Sequence, residues 1–252
     1  MFSLFQSSPV LDEDAATWLF DTFAWSLKHF DRDLFFNYTQ LVLPNNDYFP
    51  GRGESVEEMA NLICDRVKAY AGISHWPTRL SDLSACSINP TLPIEISGPL
   101  RLADGEQSES NEGVLEILYN PQQLSNPEGM IASFAHTFSH YLAQMAKEPP
   151  PGGVEYWPHT TELLAVYLGF GLMFANSAFT FRGGCGSCYN PNANRDAYLT
   201  EVEATYALAI FATLKGIPSS AVTKHLKKHL RSIFKQSVKD IESQPARIQL
   251  LK

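Results

Sequence analysis

The longest apolar run in the chain, LLAVYLGFGLMFA, occupies residues 163–175 and contains no charged side chain. A helix needs about 20 apolar residues to span a bilayer, so this run is too short to cross one. It therefore predicts a buried helix around which the other elements must pack. With 252 residues, of which 44% are hydrophobic, the chain can bury a substantial core around that helix.

The first half of the chain, residues 1–125, combines helix signals with short strand signals. Apolar residues recur at helical spacing over 13–30 and over 55–71, and Gly72 predicts the end of the second helix. From residue 73 onwards, prolines and the short runs LPIEI and VLEILY predict a small β-sheet. The polar stretch DGEQSESNEG is expected to form a hairpin loop of that sheet.

The second half, residues 126–252, reads as mainly helical. Capping signals and apolar periodicity predict four helices, over 126–145, 159–179, 200–215 and 219–241. Neither an internal repeat nor a convincing linker divides the chain. We therefore predict one domain over 1–252, of the α+β class and predominantly helical, with a small β-sheet.

Charge and cysteine usage restrict the partners and the compartment. The net charge of −8 disfavours nucleic acid and an anionic membrane as partners. The start of the chain, MFSLFQSSPVLDEDAA, lacks the pattern of a signal peptide. Four cysteines make no disulfide framework, and the CGSC of Cys185 and Cys188 has no second such pair with which to form a zinc site. We expect a cytoplasmic protein.

Two histidines four residues apart, His136 and His140, lie in the predicted helix that contains SFAHTFSHYLAQ. Zinc peptidases bind their metal with this spacing, in the pattern H-E-x-x-H, but Thr137 stands where that pattern has its glutamate. On a helical wheel the two histidines lie among small residues, opposite the apolar face. Hydrogen-bonded helix-face histidines are the alternative interpretation, and the same spacing in His225 and His229, among lysines, is interpreted as a solvated face.

The next predicted helix adds further candidate ligands, His159 and Glu162, about twenty residues beyond His140. Zinc needs three or four nitrogen, oxygen or sulfur ligands, which these residues and the histidine pair could supply together. A buried Glu162 would need a partner, either a metal or a metal-bound histidine. The alternative role of Glu162 is a first-turn carboxylate that the helix dipole favours.

Four stretches of the chain carry a family resemblance: AHTFSHY, PPGG, TELLAVYLGFGLMFANSAF and AYLTEVEATYALAIF, which begin at residues 135, 150, 161 and 197. They resemble a group of bacterial proteins that look like zinc-dependent metallopeptidases, with the pattern A-H-E-L-A-H-Y, then PPGG and a glycine-rich apolar helix. The N-terminal LVLPNNDYFPG is also similar to that family. The resemblance implies a zincin-like fold with zinc as the cofactor.

The chain departs from the family pattern at positions that carry chemistry. Thr137 replaces the glutamate that would act as general base on zinc-bound water. Pro158 replaces a glutamate that would supply a third ligand, while Glu162 matches a supporting aspartate. The resemblance therefore implies a degenerate motif, HTFSH, in which peptide hydrolysis by the usual route is lost.

Three functional hypotheses remain open. The first is a catalytically inactive, zincin-like protein that binds a protein or peptide partner and keeps His136, His140 and Glu162, with His159, as a relic or retained zinc site. The second is an active metal-dependent hydrolase with an atypical ligand set, in which Glu155 or another acid serves as base. The third is an antidote-like (immunity) protein that binds a toxin or an effector.

Overall fold

The computed structural model describes residues 9–82, 94–103, 106, 113–178 and 197–252. These residues are mostly helical and contain a small two-stranded sheet, so the prediction of a predominantly helical α+β protein is confirmed. Within the same ranges, no helix combines the length and the apolar character needed to span a membrane. The α-helices are α1 Glu13–His29, α2 Arg32–Asn37, α3 Val56–Ala71, α4 Pro127–Gln144, α5 Trp157–Ala165, α6 Gly171–Ser177, α7 Glu201–Leu214, α8 Ser219–Thr223, α9 Leu230–Glu242 and α10 Pro245–Leu251.

The sheet consists of β1, Thr78–Asp82, and β2, Leu115–Tyr119, paired in parallel. The strand predicted at VLEILY is therefore confirmed. The run LPIEI lies partly outside the described residues, and nearly all of DGEQSESNEG does too. Because parallel strands need a crossover connection, β1 and β2 cannot be the two arms of one tight hairpin.

The first long helices begin and end where local signals predict. Asp12 caps α1 by accepting a 2.8 Å hydrogen bond from the Ala15 amide. Ser55 caps α3 in the same way, and Gly72 ends α3 with a left-handed φ of 75°. Both boundaries follow from short-range backbone chemistry, which explains why the sequence predicts them.

The apolar run is the buried centre of the fold, as predicted, but it is not one straight helix. Residues 160–176 are all buried, and a π-helical segment, Val166–Phe170, lies between α5 and α6. Gly169 has φ 101° there, and its carbonyl accepts a 3.0 Å hydrogen bond from the Val42 amide. A Cβ atom on Gly169 would collide with the carbonyl oxygen of Gln40, so only glycine allows this close approach.

The single C-terminal helix predicted over 219–241 is wrong. The chain instead forms α8 and α9, separated by a turn, and then adds α10. The side-chain amide of Asn176 donates to the His225 carbonyl and accepts from the Lys227 amide, each at 3.0 Å. These bonds satisfy backbone groups that a continuous helix would have paired internally. His225 and His229 therefore do not share a helix face.

A buried arginine joins the ends of two helices near the centre of the N-terminal half. Arg101 is 2% exposed and donates from Nε to the Ala71 carbonyl, from Nη1 to the Phe30 carbonyl and from Nη2 to the Thr39 hydroxyl, at 2.8, 2.9 and 3.0 Å. Tyr167 donates to the same Phe30 carbonyl at 3.0 Å. Carbonyls at helix C-termini carry partial negative charge, which favours a cation at this position. We call these five residues the Arg101 junction.

Candidate functional site

The candidate site is built on α4 and α5, which pack against each other. The α4 helix starts at Asn126, whose side chain accepts a 3.1 Å hydrogen bond from the Gly129 amide, and Pro127 occupies its first turn. Its buried face includes Phe134 and Phe138, as the helical wheel predicts. This packing fixes the position of α4 and directs its two histidines away from the buried phenylalanines.

Thr137 occupies the position of the general base in the zinc peptidase pattern. Its hydroxyl donates a 3.0 Å hydrogen bond to the Ser133 carbonyl, one turn earlier on α4. A neutral hydroxyl has no basic site near neutral pH, and this hydrogen bond stays within the helix. Thr137 therefore cannot accept the proton that hydrolysis by the usual route requires.

The two histidines of α4 have different surroundings. The imidazole of His136 is half-buried and stacks against Tyr198, with ring centroids 6.5 Å apart and an interplanar angle of 13°. His140 is exposed, and its Nε2 lies 2.9 Å from the Nε2 of Gln144. His136 is therefore part of an inner ring contact, whereas His140 lies on the outer surface.

Glu162 is fully buried in α5, with 0% of the residue exposed. Its Oε2 accepts a 2.8 Å hydrogen bond from the backbone amide of Leu199. Thr200 and Glu203 then form the predicted capping box that starts α7. Glu162 thus fastens the segment that leads into α7, a role that neither the metal interpretation nor the helix-dipole interpretation anticipates.

His159 lies at the centre of a group of rings that we call the aromatic cluster: Trp18, His136, Tyr156, His159 and Tyr198. The His159 centroid lies 5.7 Å from Tyr156, 5.9 Å from Tyr198 and 6.3 Å from Trp18. Tyr156 and Tyr198 remain 42% and 48% exposed. The cluster therefore presents two tyrosine rings to solvent beside two imidazoles.

One nitrogen of the cluster is poorly satisfied. The Nδ1 atom of His159 is buried and has no hydrogen-bond partner among the described residues. Trp18, by contrast, donates from its indole nitrogen to the Pro151 carbonyl at 3.0 Å. The PPGG loop thereby holds Trp18 in place, while the imidazole of His159 keeps an unused polar atom.

The sequence does not predict that the three larger rings of the cluster meet. Trp18 packs against the core from α1, as its helical spacing predicts, and no motif includes Tyr156. Tyr198 lies within AYLTEVEATYALAIF, one of the stretches that carry the resemblance. That location was the available signal, but only the tertiary contact between α1, α5 and residues 197–199 shows the rings meeting.

The described residues do not offer zinc a suitable donor set. Across their ranges, no group of three or more His, Cys, Asp or Glu side chains is arranged to hold a metal ion. His140 is directed to the exposed surface and Glu162 to Leu199, whereas zinc needs three or four converging donors. Glu155, the alternative base, is exposed in a 3-10 turn. The zinc role of these residues stays a prediction, and Cys185 and Cys188 lie outside the described ranges.

Comparison of the chain with family models, with curated proteins and with solved structures found no match. The resemblance to zinc metallopeptidases therefore rests on the sequence motifs. The function must be inferred from the residues and their geometry.

Proposed function

We propose that this protein is a cytoplasmic, zincin-like binding protein without peptidase activity, and that it holds a protein or peptide partner on the aromatic cluster. The observation that carries this proposal is the position of the cluster. Tyr198 lies within a stretch that resembles a metallopeptidase and contacts His136 and His159, and Tyr156 lies between two other such stretches and contacts His159. The rings that could hold a peptide therefore lie beside the histidines that the resemblance assigns to the metal site.

The chemistry of three positions supports the loss of hydrolysis. The base position holds Thr137, whose hydroxyl is bonded to its own helix. Pro158 has no side-chain donor for a metal. Glu162 accepts a hydrogen bond from the Leu199 amide, so its carboxylate has a structural task. Activation of water by a metal needs both a ligand set and a positioned base, and these positions supply neither in the usual form.

The aromatic cluster has the composition of a binding surface. Tyrosine and tryptophan dominate the residues that contribute most to protein interfaces, because they bury a large area at a small cost in side-chain entropy. Tyr156 contacts both Trp18 and His159, so its ring is already oriented before a partner binds. Val154, 71% exposed on the same turn, extends the apolar surface.

A peptidase assay tests the catalytic part of the proposal. Purified protein is incubated with a peptide library, with and without added zinc, and the metal content is measured by elemental analysis. We expect no cleavage above the blank. Cleavage that disappears in His136→Ala would contradict the proposal and support the active metal-dependent hydrolase instead.

A partner-capture experiment tests the binding part. We expect one stoichiometric partner to be retained by the unmodified protein and lost from a Tyr156→Ala/Tyr198→Ala variant. Tyr38→Ala is the matched control, because Tyr38 is 64% exposed and belongs to the end of α2, outside the cluster. Equal retention by both variants would place the binding surface elsewhere.

A further inference from the structure

A small cavity lies between the C-terminal end of α3 and the neighbouring residues 38–40 and 101–103. Its volume is about 160 Å³. Among the described residues that line it, Arg66 and Arg101 have formally charged side chains and none is an aspartate or glutamate. Within a chain of net charge −8, a cavity whose described lining carries only positive charge is a local reversal of the overall sign.

Within the described part of the chain, no carboxylate accepts a hydrogen bond from Arg101. Its guanidinium donates to two carbonyls and one hydroxyl, which are all neutral acceptors. A guanidinium carries five N–H groups, so at least one remains for another acceptor beyond these three bonds and the contact with the Tyr167 hydroxyl. Among the described residues, no carboxylate forms an ion pair with it, and burial lowers the pKa of Arg101 with only smaller opposing effects from Tyr167 and Asp31. The helix ends offset part of this charge, and an anion would offset more.

Arg66 supplies a second guanidinium, on an exposed side chain that can change its conformation. It is exposed on α3, one turn before Tyr70, which also lines the cavity. Arg66 forms no hydrogen bond or ion pair with any residue in the described ranges. The Tyr70 hydroxyl already donates to the Tyr48 carbonyl at 2.7 Å. The guanidinium of Arg66 is therefore the group that can bind a ligand at the edge of the cavity. Planar guanidinium groups bind carboxylates and phosphates through paired hydrogen bonds.

Unpaired carbonyl groups in the last turn of α3 would repel an anion, but three of these carbonyls already accept hydrogen bonds. The Lys68, Ala69 and Ala71 carbonyls accept from the Ile73 amide, the Gly72 amide and the Arg101 side chain. Their partial negative charge is therefore already paired with donors. The cavity keeps its positive character beside a helix C-terminus.

We propose that this cavity binds a small oxyanion, a carboxylate or phosphate group, between Arg66 and Arg101. Its volume is well below the roughly 300–1,000 Å³ of pockets for drug-sized ligands, so the ligand is a small anion or the anionic end of a larger molecule. Arg101 holds the fixed charge, and Arg66 closes over the ligand. This site is independent of the aromatic cluster and of any peptide binding there.

Calorimetric titration of the full chain tests the proposal, with inorganic phosphate and acetate as probes at a constant ionic strength set by sodium chloride. We expect saturable binding of at least one probe at one site per chain. The stronger of the two probes identifies the group that the cavity prefers. Absence of saturable binding by both probes would overturn the proposal.

Arg66→Met is the informative variant, because Arg66 is exposed and its loss leaves the Arg101 junction intact. We expect its affinity to fall about tenfold or more, as for the loss of a charge-assisted hydrogen-bonding pair. Arg79→Met, which removes an exposed arginine on β1 outside the lining, should bind as the unmodified protein does. Equal affinity in Arg66→Met and Arg79→Met would assign the binding to another site.

Discussion

The Arg101 junction and the aromatic cluster both place polar groups next to α1, but the two regions differ in how completely those groups are hydrogen-bonded. In the junction, each guanidinium nitrogen has an acceptor within 3.0 Å. In the cluster, the buried Nδ1 of His159 has no hydrogen-bond partner among the described residues, and two tyrosines remain exposed. A polar group whose every nitrogen has an acceptor in the protein stabilises the fold, whereas unpaired nitrogens and exposed groups are expected where a ligand or partner completes them.

This difference predicts two kinds of variant. Changes in the junction should lower the free energy of unfolding, since they leave buried acceptors without donors. Changes in the aromatic cluster should weaken partner binding at little cost in stability, because its tyrosines are half exposed. Glu162 lies between the two cases: it belongs to the candidate site by sequence pattern and to the framework by its hydrogen bond to Leu199.

Arg101→Met should have the largest effect. It removes the donor to the Ala71 carbonyl, the donor to the Thr39 hydroxyl and one of the two donors to the Phe30 carbonyl, while keeping much of the side-chain volume. We expect a loss of about 3–5 kcal/mol in the free energy of unfolding. Urea denaturation followed by circular dichroism measures it. The matched control Arg79→Met should change stability by about 0.5 kcal/mol or less. Similar values for both variants would show that the junction is not a framework element.

Glu162→Ala should have the next largest effect on stability. It leaves the buried Leu199 amide without its acceptor, and we expect a loss of about 1–3 kcal/mol, measured by the same denaturation. Glu162→Gln keeps an acceptor oxygen and should lose less. Glu155→Ala, an exposed acid on the neighbouring turn, is the control. If zinc instead held Glu162 in place, chelation would destabilise the unmodified protein to the same extent.

The sequence predicts those elements whose signals are local. Asp12, Ser55 and Gly72 act within one turn of the helix ends that they define, so a reader of the sequence can place α1 and α3 closely. The turn between α8 and α9 depends on Asn176, which lies about 50 residues earlier in the chain. Helical periodicity cannot reveal such a contact, and the prediction of one continuous helix therefore failed.

The candidate site divides in the same way. The sequence places His136 and His140 on one helix and identifies Thr137 as a missing base, because these statements concern neighbours on α4. It does not show that Glu162 binds the Leu199 amide, because the two residues lie 37 positions apart in the chain. The meeting of Trp18 with His159 is a tertiary contact between elements far apart in the chain. Such contacts are decided by packing, not by spacing.

Tyr198→Ala tests the other side of the comparison. Because Tyr198 is 48% exposed, we expect a loss of about 1 kcal/mol or less in the free energy of unfolding. Retention of the captured partner should nevertheless fall strongly. Tyr198→Phe keeps the ring contacts with His136 and His159, and it should retain the partner if stacking matters more than the hydroxyl. A large loss of stability with unchanged capture would show that Tyr198 stabilises the fold and does not bind the partner.

Mild acid should have the smallest effect, through an imidazole outside both regions. Burial lowers the pKa of His225 below its ordinary value of 6.5, and Lys224 lowers it further while Glu128 opposes the shift. The unfolded chain therefore takes up this proton at a higher pH than the folded chain, so stability falls as pH drops below 6.5 and levels off below the folded-state pKa. Denaturation midpoints measured across that range should fall less steeply in His225→Gln. Capture of a partner by the aromatic cluster should not depend on this substitution, because His225 lies beside Asn176 and not among the cluster's rings.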